Sequence, residues 1–200
     1  YGSDLDTYNV AVGYNAGTSM TTGIKNVIMG GLAGDALTAG DENVAIGHGA
    51  LGTEDAHGRN VAIGYAALSS QDAGADAYNV AVGFDAGGAV STGNSNTIIG
   101  GLAGDALTTG SNNVAIGYQA LSTEDAHGRN VAIGRYALQA QDAGIDAYNV
   151  AVGYNTGVNV STGAYNTLIG GLAGDALTTG SYNVALGYAA LSTEDGNSAN

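Results

Sequence analysis

Short apolar phrases recur along the chain at a fixed spacing, and each copy is opened by Asn and closed by Gly. Asn60-Val61-Ala62-Ile63-Gly64 is one copy, and positions are numbered from its Asn as position 0. Position 1 is Val in nine of the eleven complete copies, position 3 is Val, Ile, Leu or Met, and position 4 is always Gly. This pattern predicts a short strand that ends in a turn. Because side chains alternate along a strand, positions 1 and 3 share one face and position 2 lies on the other.

The copies define two nested periods. Successive Asn residues are 17 residues apart except at two steps of 19, so that three steps of 17 and one of 19 make a block of 70. The blocks begin near residues 9, 79 and 149. A fixed short period is the signature of a repeat architecture. The opening residues are Asn9, Asn26, Asn43, Asn60, Asn79, Asn96, Asn113, Asn130, Asn149, Asn166 and Asn183, and Asn200 would open another copy.

A repeat of this length predicts one flattened coil of a β-solenoid, because a strand–helix–strand unit needs about 30 residues. We expect a second short strand at positions 6 to 8, as in Ala66-Ala67-Leu68, and a second turn near position 14. The predicted fold is all-β, a parallel β-solenoid or β-roll of about twelve coils of 17 to 19 residues. Residues 1–200 form a single repeat region, with a predicted length of roughly 55 Å. Since the chain begins without Met and ends as another copy opens, we expect it to be a segment of a longer protein.

Composition narrows the possible partners. Eighteen acidic residues against four basic ones give a net charge of −14, which argues against nucleic acid or an anionic membrane surface. No run of 18 apolar residues occurs, so no membrane insertion is predicted for this segment. The absence of Cys excludes disulfides and thiolate metal sites.

The Asn residues at position 0 are predicted to form a structural ladder, because equal positions of successive coils stack into columns. Side-chain amides both donate and accept hydrogen bonds, and at strand spacing they can bond along the rod. The alternative is that each Asn is simply a residue that tolerates a turn.

Position 2 is small or aliphatic in every copy and is predicted to be an interface between chains. If positions 1 and 3 fill the core, position 2 leaves an apolar stripe on the outside, which favours self-association. The alternative is a wide coil that packs on both faces of each strand. The predicted interface residues are Ala11, Ile28, Ala45, Ala62, Ala81, Ile98, Ala115, Ala132, Ala151, Leu168 and Ala185.

Position 12 carries Asp in adjacent coils and is a candidate cation site. Like charges about 5 Å apart repel each other unless a cation lies between them. Glu54 and Gln71 precede two of these Asp residues, and such an oxygen-rich, Cys-free set is typical of Ca²⁺. The alternative is solvated carboxylates that splay apart. The candidate metal residues are Asp55, Asp72, Asp125 and Asp142.

No catalytic residue is predicted, and the chain is not expected to be an enzyme. His57 can be imagined as a partner of Glu54 or Asp55, but no fixed Ser or Cys nucleophile accompanies it. The cluster is also copied with the block, whereas a catalytic site usually breaks a repeat once. A mostly aromatic column at position 5, which includes Tyr65 and Phe84, suggests turn packing or a chain interface, or else a surface for a sugar ring.

Asn-Val-Ala-Ile-Gly followed by Tyr-x-Ala-Leu, with Gly near the far turn, resembles the head repeats of trimeric autotransporter adhesins. It is equally similar to related repeats of phage tail-fibre and surface proteins. The resemblance covers essentially the whole chain and implies a left-handed parallel β-roll with three chains around an axis. The expected function is a structural, non-catalytic rod of an extracellular, cell-surface or virion fibre or adhesin, with cell-surface glycan or receptor partners. The alternative is a self-assembling extracellular fibre or sheath without a specific receptor.

Overall fold

Eleven short strands form one parallel sheet in the computed structural model, which describes residues 7–193. Each strand occupies positions 1 to 3 of its coil and pairs with the same positions of the next, as in Ala45 opposite Ala62. Residues 7–193 include no helix long and apolar enough to cross a membrane. The strands are β1 (Val10–Val12), β2 (Val27–Met29), β3 (Val44–Ile46), β4 (Val61–Ile63), β5 (Val80–Val82), β6 (Thr97–Ile99), β7 (Val114–Ile116), β8 (Val131–Ile133), β9 (Val150–Val152), β10 (Thr167–Ile169) and β11 (Val184–Leu186).

The predicted parallel β-solenoid is confirmed. The sheet order follows the chain order, so each coil adds one strand to the edge left by the coil before it. The two-residue insertion of the fourth coil does not disturb this register, because Ala62 still pairs with Ala81. Longer coils therefore bulge in the turn near Gly74 rather than in the sheet. Asn200, the expected start of a further copy, lies outside the described residues.

The predicted second strand at positions 6 to 8 is wrong, because these residues form turns. Ala66 and Leu68 have φ of 53° and 48°, in the left-handed region. The backbone N–H of Ala66 donates to the His48 carbonyl at 3.0 Å, and that of Leu68 donates to the Ala86 carbonyl at 3.1 Å. Alternate residues thus bond to opposite neighbouring coils, and these bonds offset the cost of the left-handed backbone.

Position 2 faces the core of its own chain, so the predicted interface along it is wrong. Alternation tells which positions share a face but not which face points inward. Position 2 lies on the same side as the Asn of position 0, whose amide bonds across the coil interior, and positions 1 and 3 therefore face outward. The residues buried in the core are Ile28, Ala45, Ala62, Ala81, Ile98, Ala115, Ala132, Ala151, Leu168 and Ala185, whereas Ala11 is exposed in the first described coil.

The core is filled by positions 2, 7, 8 and 11, and the side-chain sizes at positions 2 and 8 compensate for one another. The second coil combines Ile28 with Gly34, whereas the third combines Ala45 with Leu51. A Cβ atom added at Gly34 would lie 3.1 Å from the Cδ1 atom of Ile28. A large residue at position 2 therefore requires Gly at position 8, because protein interiors have little free volume.

The Gly at position 4 makes the corner after each strand. Gly64 has φ of 138°, and an added Cβ would lie 2.1 Å from the carbonyl oxygen of Gly83 in the next coil. Only Gly combines this backbone conformation with such a close approach of two coils.

Candidate functional site

The Asn column forms a continuous hydrogen-bonded ladder, as predicted, although most of its bonds go to the backbone. From Asn9 to Asn166, the Oδ1 atom of each Asn accepts from the backbone N–H of the next, at 2.8 Å for Asn26 and Asn43 and at 3.0 Å for Asn43 and Asn60. The Nδ2 atom of Asn26 donates across the coil to the Gly40 carbonyl at 2.8 Å. An amide-to-amide bond joins Asn183 to Asn166 at 3.1 Å. The column is therefore structural, since most of its polar groups bond within the protein core; the exceptions among the described residues are Nδ2 of Asn60 and Asn130 and Oδ1 of Asn183, which have no partner.

Gln71, at position 11 of the fourth coil, is a buried polar residue whose side-chain amide is hydrogen-bonded at both ends. The Nε2 atom of Gln71 donates to the Ser91 carbonyl at 2.9 Å. Its Oε1 atom accepts from the Nδ2 atom of Asn79 at 2.7 Å. Gln71 is completely buried, and both ends of its amide have partners, as burial of a polar group requires.

Glu54 occupies the same position one coil earlier, with a different outcome. Its side chain is 0% exposed, and Oε1 accepts the backbone N–H of His57 at 3.0 Å. Its Oε2 atom is buried and has no hydrogen-bond partner. A buried carboxylate oxygen without a partner is costly, so this feature calls for a physical explanation.

His57 and Asp55 complete a three-residue cluster around this carboxylate. The Nδ1 atom of His57 lies 3.7 Å from Oε1 of Glu54, and it too is buried without a partner. Asp55 is exposed beside them, and one ligand atom from each of the three residues lies within 4.8 Å of the others. The cluster therefore has a buried side, at Glu54, and a side open to solvent, at Asp55.

The same cluster recurs in the next block. Glu124 is completely buried, its Oε1 atom accepts the His127 N–H at 3.1 Å, and the His127 Nδ1 atom lies 3.7 Å away. The Oε2 atom of Glu124 and Nδ1 of His127 again lack partners. Asp125 is the third member.

Burial raises the pKa of Glu54 above its usual range, because desolvation penalises the charged form. The bond from the His57 N–H and the imidazole itself act in the opposite direction, while the charges of Asp72 and Asp55 raise the pKa further. The Glu124 pKa is raised for the same reasons by the equivalent neighbours. At both Glu54 and Glu124 the fold thus retains an acidic group where a neutral amide would be better accommodated.

The predicted cation site has a different set of neighbours in the structure. Asp55 and Asp125 lie in the two clusters, but Asp72 and Asp142 are exposed and are not members of them. Glu54 and His57 were visible in the sequence as neighbours of Asp55. What the sequence could not indicate is that position 11 points into the core, which brings its carboxylate beneath the His.

The aromatic column at position 5 is packed against itself. The Tyr65 ring is stacked with His48 at a centroid distance of 5.6 Å and with Phe84 at 5.3 Å. Both faces of the Tyr65 ring are therefore in contact with neighbouring rings, which leaves its edge rather than its face for any sugar. Of the interpretations offered for this column, packing of the turns against one another is the one that describes these three residues.

An apolar surface runs along the outside of the sheet. Positions 1 and 3 of β2 to β10, which we name the outer strip, begin with Val27 and Met29 and end with Thr167 and Ile169. Their side chains are half-buried or exposed, whereas position 2 between them is buried. The strip holds two Thr and otherwise only Val, Ile and Met, so it is a continuous aliphatic surface.

The fold defines the chain as a parallel β-solenoid of sequence repeats. It matches no protein-family model, no curated protein and no solved structure.

Proposed function

We propose that this chain is a structural, non-catalytic rod of a surface or virion fibre or adhesin. Its copies associate as a homotrimer through the outer strip, which replaces position 2 as the contact surface. The observation that carries this proposal is the strip itself, in which nine strands present mostly Val and Ile outward in register. Contiguous apolar surfaces of this kind mark association sites in soluble proteins.

The regular stacking gives the rod its mechanical role. Ten strand intervals at about 4.8 Å give a described length of about 48 Å. Backbone bonds and the Asn ladder connect every coil to the next, which favours a stiff element that resists proteases. Repeated weak sites on such a rod gain affinity by avidity when they engage a cell-surface glycan or receptor together.

The trimer is the state implied by the resemblance to adhesin heads, and the outer strip suits it. A straight strip of equal residues presents the same surface at each coil level, so identical chains can pack side by side around an axis. The expected setting is extracellular, at a cell surface or on a virion. Any receptor-binding residues are expected in the turns, which differ from coil to coil.

Size measurement of the purified chain tests this proposal. Light scattering or mass photometry should give three chains per particle. The variant with Ile63→Lys and Ile133→Lys, which places charges on the outer strip, should shift the population to monomers. The variant with Ala75→Lys and Ile145→Lys introduces the same two charges on the exposed turns of the two longer coils and should leave the trimer intact.

Circular dichroism must show that both variants retain the β-solenoid. A monodisperse monomer for the unaltered chain would overturn the proposed self-association. An open-ended distribution of sizes would instead favour the alternative, a self-assembling fibre or sheath without a specific receptor.

A further inference from the structure

We propose that Glu54, Asp55 and His57 form a binding site for a divalent transition-metal ion such as Zn²⁺. Glu124, Asp125 and His127 form a second, equivalent site. Four coils separate the two, which corresponds to about 19 Å along the rod. This inference is independent of the proposed rod function.

The buried, unpartnered atoms are what distinguish this cluster from an ordinary acidic surface. The Glu54 side chain is 0% exposed, and its Oε2 atom has no hydrogen-bond donor. The His57 Nδ1 atom is also buried and without a partner. In both blocks the same two atoms, Oε2 of the Glu and Nδ1 of the His, are without partners, and Nδ1 lies 3.7 Å from the other oxygen of the same carboxylate, Oε1. A bound cation would satisfy both at once.

Gln71 provides an internal comparison. It occupies the equivalent position in the adjacent coil and bonds fully to Ser91 and Asn79. The fold therefore accommodates a neutral amide at position 11, and a carboxylate there is not required for packing. Glu54 and Glu124 are each followed by a His three residues later, whereas Gln71 is followed by Ala73 and Gly74. The third Glu at this position, Glu194, is followed by Asn197, so the pair of Glu and His is a feature of the first two blocks.

The distances between the candidate ligand atoms would suit metal coordination if these atoms moved slightly closer together. Tetrahedral ligands of a metal ion at about 2.1 Å lie about 3.4 Å from one another. The His57 Nδ1 atom is already 3.7 Å from Oε1 of Glu54, and one ligand atom from each of the three residues lies within 4.8 Å of the others. Asp55 is exposed and free to rotate towards the other two. Water would complete the coordination from the solvent side.

The donor types select the kind of metal. An imidazole nitrogen together with carboxylate oxygens favours Zn²⁺ or Co²⁺, whereas Mg²⁺ and Ca²⁺ prefer oxygen ligands alone. Asp72 lies close enough to affect the charge of Glu54 and adds a negative potential that attracts any cation. The structure therefore assigns a mixed nitrogen and oxygen site in place of the all-oxygen site expected from Asp55 and Asp72.

Titration of the full chain with Zn²⁺ tests the assignment, using protein without a polyhistidine tag. Calorimetry should give two ions per chain with dissociation constants in the micromolar range or below. Co²⁺ should produce visible absorption bands, because a tetrahedral mixed-ligand site gives intense transitions. The melting temperature should rise when Zn²⁺ is added and return to its metal-free value when EDTA removes the ion.

Stoichiometry in variants makes the test specific. Glu54→Gln should reduce binding from two ions to one, and Glu54→Gln combined with Glu124→Gln should abolish it. These variants are expected to fold, because Gln71 already occupies this position. His57→Ala should also remove one site. Asp72→Asn removes the same charge as Glu54→Gln without removing a ligand, and it should weaken binding while leaving two sites.

Two results would overturn the proposal. The first is the absence of Zn²⁺ binding by the unaltered, folded chain. The second is an unchanged stoichiometry in the variant that carries both Glu→Gln substitutions, since that would place the bound ions on other carboxylates. A Ca²⁺-induced rise in melting temperature that survives the combined His57→Ala and His127→Ala substitutions would also contradict the nitrogen ligand.

Discussion

Gly87 and Gly74 offer a direct test of how the core sets the sequence at position 8. Both have a left-handed backbone, with φ of 58° and 66°. A Cβ atom at Gly87 would lie 2.8 Å from Cδ1 of Ile98 and 3.2 Å from methyl groups of Leu68 and Val90. At Gly74 the same atom would meet nothing within 4 Å. The pair therefore separates the cost of the backbone from the cost of crowding.

The expected magnitudes follow from these contacts. Placing Ala in the left-handed region costs about 1–2 kcal/mol at either site. Crowding of a packed core adds about 1–3 kcal/mol, and it applies only to Gly87→Ala. We expect Gly87→Ala to lower the free energy of unfolding by that additional amount relative to Gly74→Ala. For a protein of this size, each kcal/mol corresponds to about 2–4 °C in melting temperature.

Ile98→Val tests which atom causes the crowding in Gly87→Ala, because it deletes the Cδ1 methyl that a Cβ at residue 87 would approach most closely. Alone, this change should cost about 0.5–1.5 kcal/mol. In the Gly87→Ala background it should cost less or restore stability, which gives a coupling of at least about 0.5 kcal/mol. Urea unfolding monitored by circular dichroism would measure the free energy of unfolding of the unaltered chain and of the four variants. Equal losses for Gly87→Ala and Gly74→Ala, or a strictly additive double variant, would refute the reasoning.

Three further predictions concern the acidic cluster, the ladder and the corner. In EDTA, the stability of the chain should fall as pH rises from the ordinary carboxyl range through the raised pKa of Glu54, because the Glu54 carboxyl binds its proton more tightly in the folded state than in the unfolded state. Melting temperatures between pH 4 and 8 measure this dependence. Compared with the unaltered chain, Glu54→Gln should give a flatter pH profile and a higher melting temperature at neutral pH. Asn96→Ala should cost about 1–3 kcal/mol, because it leaves the buried N–H of Asn113 without an acceptor, and an unchanged urea midpoint would contradict the ladder. Gly64→Ala should be more damaging than Gly74→Ala in the same urea assay, because its Cβ would meet backbone rather than open space, and equal midpoints would contradict this.

The stacking was predictable from the sequence because a fixed period forces equal positions into register. Ala45 pairs with Ala62 and Ala62 with Ala81, although the second pair spans an insertion. The turns at positions 6 to 8 were not predictable in the same way. Ala66 and Leu68 have little preference for a left-handed backbone, and an apolar run of three residues also suits a strand. Bonds between coils override the local preference, and such bonds are not visible in a single repeat.

The inward face was the second point that alternation could not decide. Position 2 and positions 1 and 3 are both apolar, so hydrophobicity gives no preference between them. The deciding residue is the Asn at position 0, whose amide reaches the carbonyl of position 14 across the coil, as in Asn26 and Gly40. Once that amide is inside, Ile28 must be inside as well. Position 11 points inward as well, which places the Glu54 carboxylate beneath His57. The sequence pattern alone therefore did not predict that this carboxylate is buried.

The block of 70 residues has a physical basis in this packing. Within each block the bulk of the core moves from position 2 to position 8, so that Ile98 with Gly104 is followed by Ala115 with Leu121. Gly87 leaves room for Ile98 of the following coil as well as for Leu68 of the preceding one. Each coil is therefore shaped for both of its neighbours, and a single coil of 17 residues cannot be exchanged without creating a clash or a cavity. The unit that can repeat without penalty is the complete block, and each of the two complete blocks, which begin near residues 9 and 79, also carries one copy of the Glu–Asp–His cluster.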